Sequence, residues 1–143
     1  MTVPLWMRLA EAELAAHVRE VPGPGNNPRV VEYHQATSFK ATDDAVPWCS
    51  AFVNWCFKEV GISGTRSAAA RSWLTWGEAL DQPEYGCVVV LARGKNPAQG
   101  HVAFFTDRRP DGHLLLLGGN QGDAVSIAAY LPEKVLAYRW PML

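Results

Sequence analysis

Apolar residues recur every three or four positions through the first half of the chain, and in short alternating or continuous runs through the second. Trp6, Leu9, Ala10, Leu14 and Val18 form one stripe, which predicts a helix over about Pro4–Arg19. The run Pro22-Gly23-Pro24-Gly25-Asn26-Asn27-Pro28 stops it and predicts a loop, followed by a short helical turn around Arg29–Tyr33. A polar connection, Gln35 to Asp44, leads to the best-defined helix. Pro47 suits its first turn, Asp43 or Asp44 is close enough to cap it, and Gly61 is placed to end it. Trp48, Phe52, Trp55 and Glu59 form one row of that helix and Cys49, Val53, Cys56 and Val60 the next. Only Ser50, Asn54 and Lys58 offer a polar face, so the helix is expected to be mostly buried. Ala69, Trp73, Trp76 and Leu80 keep helical spacing and predict a third helix over about Ser67–Leu80.

After Pro83 the period changes. Cys87–Leu91, Val102–Thr106, Leu114–Leu117, Val125–Ala129 and Val135–Tyr138 read as strands between Gly, Pro and Asn/Asp clusters. Arg109-Pro110-Asp111-Gly112 has the composition of a hairpin turn, and Pro132-Glu133-Lys134 that of a second turn. Helices followed by an antiparallel sheet of about five strands make an α+β fold, and 143 residues are enough for one domain with its own core, spanning 1–143.

Composition narrows the function classes. A formal net charge of -1 gives no electrostatic footprint for a nucleic-acid or anionic-membrane partner. No apolar run approaches the roughly 20 residues that a bilayer crossing needs. The segment Met1 to Arg8 lacks a charged region followed by an apolar stretch, so no Sec signal is visible and any action on a cell wall implies another delivery route. Three Cys cannot all pair within one chain, and with no CxxC pair and scattered His no zinc site and no cofactor are expected.

Chemistry concentrates at three places. Cys49 falls within about one turn of a helix start, where the macrodipole favours the thiolate, and it follows a loop that can leave its sulfur at a cleft edge. Cys56 and Cys87 lack those features and are expected in the core. His101 opens a strand directly after Gly100, whose missing side chain allows another backbone or a ligand close. His17, His34 and His113 read as solvated or structural. The hairpin between Val102–Thr106 and Leu114–Leu117 returns the chain toward His101, bringing Gly118-Gly119-Asn120-Gln121 to the same end. There Asn120 either serves turn geometry or accepts from the imidazole N–H, with Gln121 and Asp123 as alternatives.

The order Trp48-Cys49-Ser50-Ala51-Phe52-Val53, Gly86-Cys87-Val88-Val89-Val90, Gly100-His101-Val102-Ala103-Phe104 and Gly119-Asn120-Gln121 resembles the NlpC/P60 and CHAP superfamily of papain-like peptidoglycan amidases and endopeptidases. It is most similar to a small CHAP-like group found in phage lysins and secreted bacterial toxins. The N-terminal stretch with Trp6, Ala10, Leu14, Val21-Pro22-Gly23 and Asn27-Pro28 extends the likeness over nearly the whole chain. The resemblance implies a papain-like fold, Cys49 as nucleophile, His101 as general base and Asn120 in a third place that varies among His, Asn, Gln and Glu. It also implies a peptidoglycan substrate and, for a toxin, an immunity protein in the producing cell. Trp48, Trp73, Gly100 and Gln121 are the expected substrate contacts. A wall- or protein-binding module without turnover, and an acyltransferase passing the same thioester to an amine, are the alternative readings.

Overall fold

A computed structural model describes residues 3–22, 25–42 and 47–142. Three helices, α1 (Leu5–Ala15), α2 (Pro28–His34) and α3 (Cys49–Glu59), precede a 3₁₀ turn over Ala70–Thr75. Six strands follow: β1 (Glu78–Leu80), β2 (Val88–Ala92), β3 (Gly100–Arg108), β4 (Leu114–Gly118), β5 (Ser126–Tyr130) and β6 (Val135–Trp140). They form one antiparallel sheet in the order β1-β6-β2-β3-β4-β5. The α+β plan holds, with six strands in place of about five.

The difference lies in the stretch expected to be a third helix. Ala69, Trp73, Trp76 and Leu80 have helical spacing, yet only the 3₁₀ turn forms, Trp76 is extended and Gly77 takes φ 63°. The Arg139 guanidinium donates to the carbonyls of Trp76 and Gly77 at 2.6 and 3.0 Å, and Glu78, Ala79 and Leu80 pair with Trp140, Arg139 and Tyr138. These contacts from a distant strand take backbone groups that a helix would use, and tertiary pairing overrides a local pattern of modest length.

α3 begins at Cys49, with Trp48 as N-cap and no side chain capping it, so Pro47 precedes the cap instead of occupying the first turn. Asp43 and Asp44, the expected caps, lie outside the described residues. The end of α3 is as expected. Gly61 (φ 77°) donates to Lys58 O at 3.1 Å and Ile62 to Phe57 O at 2.9 Å, the paired bonds of a Schellman motif that needs a left-handed residue at Gly61.

Every α3 residue from Cys49 to Phe57 is buried, including the supposed polar face of Ser50 and Asn54. The Ser50 hydroxyl donates to Ser67 O at 2.6 Å and accepts from Trp73 Nε1 at 2.9 Å, while the Asn54 side chain bonds Ser50 O, Ser67 O and Arg66 N–H. A buried polar group is tolerated when so satisfied. The two faces of β2 enter different parts of the core: Val88 and Val90 pack with the helices, and Cys87, Val89 and Leu91 with Ala103, Phe105, Leu114 and Leu116. All three cysteines are free, and Cys56 and Cys87 are fully buried as expected.

Candidate active site

The N-terminal tip of α3 meets the start of β3 and the turn after β4. Backbone N–H groups of Val102, Ser50 and Cys49 itself point at the Cys49 sulfur, which therefore lies beside the residue that follows His101. Cys49 and His101 keep only 7% and 9% of their surface, so both are buried. His101 is paired with Leu91 across β2–β3, and its ring stacks on Tyr130 at 5.3 Å between centroids, 25° from parallel.

His101 Nε2 lies 2.9 Å from Gln121 Oε1. The amide can be oriented only one way: Gln121 Nε2 is 3.1 Å from Leu116 O and 2.7 Å from Ser126 O, both obligate acceptors, so it must be the donor end. Oε1 then accepts from the Tyr130 hydroxyl at 3.1 Å and from His101, which must carry its proton on Nε2. Nδ1 is left with a free lone pair in the neutral ring.

Two glycines carry Gln121 to this position. A Cβ on Gly118 would sit 2.7 Å from Ala103 Cβ and 2.8 Å from Gln121 Oε1, and one on Gly119 would collide with the Trp48 ring at 2.7 Å and Phe52 Cβ at 2.8 Å. Asn120 follows at φ 58° and turns the chain so that Gln121, not Asn120, points inward. Asn120 thus serves turn geometry, the alternative left open by the sequence, and the expected hydrogen bond to the imidazole is made by its neighbour. Asp123 is a second left-handed turn residue (φ 59°) whose carbonyl accepts from Glu20 N–H at 2.8 Å.

The expected substrate contacts are largely internal. Trp48 is fully buried, stacked 5.7 Å from Tyr33, with its indole N–H on Glu20 at 3.0 Å. Trp73 is fully buried against Phe57 and Trp76 and donates to Ser50. Neither presents a face to a ligand. A Cβ on Gly100 would meet Leu91 O at 2.9 Å and Arg71 Cγ at 3.1 Å, so its bareness accommodates this chain's own atoms. Gln121 is held by the histidine. His17, His34 and His113 stand apart from the site: His17 is exposed at φ 55°, His34 is fully buried, and His113 pairs with Asp111.

Burial dominates the electrostatics. It pushes the Cys49 thiol up, against the smaller opposing effects of the Val102 and Ser50 N–H groups and the Arg93 guanidinium. Burial also pushes the His101 imidazole down, with the Gln121 bond opposing and Arg93 adding to the drop. Both directions favour a neutral thiol beside a neutral imidazole, where the helix tip alone suggested a thiolate. Tyr130 is half-buried, and that burial pushes it up to about 12, so it stays a donor. Tyr130 and Arg93 were not singled out from the sequence, since a tyrosine ending one strand and an arginine just past another carry no signal before the sheet is assembled. Among the described residues no group of three His, Cys, Asp or Glu is placed to hold a metal ion.

One end of the sheet thus gathers a helix-tip thiol, a histidine early in β3 and an amide that fixes the tautomer of its ring. Compared with curated proteins, the chain has no match. The CHAP domain family model matches residues 41–120, over half of the 143 residues, taking in Cys49, His101 and Asn120 and ending one residue before Gln121. The matched stretch does not include α1 and α2. A helix-tip cysteine, a strand-initiating histidine and that match agree: the chain belongs to the CHAP domain family, a family of peptidoglycan hydrolases and amidases.

Proposed function

We propose that this protein cleaves an amide bond of peptidoglycan, as an amidase or endopeptidase, with Cys49 as nucleophile, His101 as general base and Gln121 orienting the ring. The observation that carries the reading is the Gln121 amide, whose two carbonyl acceptors fix its direction and so leave Nδ1 of His101 as the basic nitrogen.

The chemistry follows from the resting charges. Because burial favours the neutral pair, the proton moves from Cys49 to His101 Nδ1 as the sulfur attacks the substrate carbonyl, and not before. The oxyanion of the tetrahedral intermediate is met by backbone N–H groups at the α3 tip, where Cys49 is the first helical residue. Collapse breaks the C–N bond, the imidazolium returns its proton to the leaving amine, and an acyl thioester remains on Cys49. Water, deprotonated by the same nitrogen, attacks the thioester and releases a carboxylic acid and the thiol. The resemblance to lysins and secreted toxins extends the proposal to an antibacterial effector or lysin that reaches the wall by a non-Sec route and, as a toxin, is matched by an immunity protein in its producer.

Digestion of purified sacculi followed by mass spectrometry of released muropeptides tests this. The wild type is expected to yield paired free amine and carboxylate ends, and Cys49→Ala to give background release. Equal release by the variant would eliminate the nucleophile. Retained wall binding with no release from the wild type would favour the binding module, and new amide linkages the acyltransferase.

A further inference from the structure

An open groove of about 910 Å³ runs beside the second half of α3, between the segments 35–40 and 61–67. Its floor is the satisfied amide of Asn54, and Thr37, Ser38, Ser63, Thr65 and Ser67 line it with hydroxyls. Lys40, Lys58 and Arg66 stand around it, and among the described residues none that lines it is acidic. All three cations are exposed, and none forms an ion pair among the described residues. Three positive charges without an ion-pair partner among the described residues thus gather around one concavity, on a chain whose formal net charge is -1. Lys40 (φ 49°) and Arg66 (φ 56°) both hold left-handed backbone, and Ser38 N–H bonds Arg66 O at 2.8 Å, tying the two walls together.

We propose that this groove binds an oxyanion group of the wall polymer, held by Lys40, Lys58 and Arg66, at a distance from the scissile amide. Like charges around one groove repel one another, and an oxyanion placed among them offsets that repulsion and accepts from the hydroxyls. Asn54 and Lys58 lie five and nine residues past Cys49, roughly 8 and 14 Å along the α3 axis, so the groove stands apart from the thiol. The inference rests on peptidoglycan as the substrate. Two parts of a wall carry the required chemistry, the carboxylates of stem peptides and the phosphodiesters of attached polymers.

Titration of the full chain with a disaccharide-peptide bearing free carboxylates, and separately with inorganic phosphate, followed by backbone amide chemical shifts, tests it. Saturable shifts at 35–40 and 61–67 are expected, accompanied with the peptide probe by separate shifts around Cys49 and His101. Lys40→Gln/Lys58→Gln should weaken them roughly tenfold in Kd, and Lys134→Gln should leave them unchanged. A response to the peptide alone identifies the stem carboxylate, and a response to phosphate alone the phosphodiester. Absence of saturable groove shifts, or shifts undiminished in a double variant whose spectrum remains folded, would overturn the proposal. Muropeptide release by the wild type is scored separately, so a failed hydrolase reading leaves the groove result interpretable and the reverse also holds.

Discussion

An imidazole works as a base only through the nitrogen that is not already committed, and at His101 that choice belongs to Gln121. Removing the amide frees the tautomer and the ring, so Gln121→Ala is expected to lower kcat by roughly a hundredfold. Asn120→Gly, which keeps the left-handed turn and deletes only the side chain, should leave kcat within about twofold. Equal losses in the two variants would reverse their roles. The same reasoning sets the pH dependence. A protonated His101 cannot accept from Cys49, and its value lies below the ordinary imidazole value of about 6.5, so kcat/KM should rise with pH on a limb below that point. Burial lifts the thiol, so the alkaline decline should begin above its ordinary value of about 8.5, leaving a broad plateau between. Iodoacetamide trapping checks the premise: Cys49 alkylated as fast at about pH 5 as at about pH 8 would reveal a preformed ion pair. Cys49 and His101 were legible because a helix start and a strand start each leave a pattern. The choice between Asn120 and Gln121 was not, because it depends on which way one left-handed residue turns the chain.

At the scale of elements, periodicity found each strand from β2 to β6 and the three helices, with boundaries displaced by a few residues. It failed where distant partners decide. The stretch 67–80 has helical spacing, but Arg139 and β6 claim its backbone. Trp48 illustrates a different limit. Consecutive residues of a helix point about 100° apart, so a tryptophan beside the thiol in sequence need not share its cleft. Here it turns inward to Tyr33, and its ring becomes the surface on which Gly119 rests. The paired glycines were legible as a turn. That they bring the Gln121 turn against the α3 tip needed coordinates, because neither contact leaves a local pattern.

Across the whole molecule, the part outside the family match is woven into the site. Trp6 is 4% exposed, donates its indole N–H to Gly86 O at 2.8 Å, and packs on Phe57 and Trp140. Trp6→Ala is therefore expected to cost about 3–5 kcal/mol of stability, read as a lower urea midpoint. A loss under about 1 kcal/mol would mean that α1 contributes little to the common core. Further along, Val18 and Glu20 exchange backbone bonds with Val125 and Asp123 on either side of an Arg19–Ala124 bridge, bracing the turn that presents Gln121. A chimera seamed at residue 41, where the family likeness starts, would cut away that brace together with the indole that closes over Gly86. A transplantable unit has to be cut ahead of Leu5, because the leading helix and the stretch behind it hold Gly86 and the Gln121 corner in place.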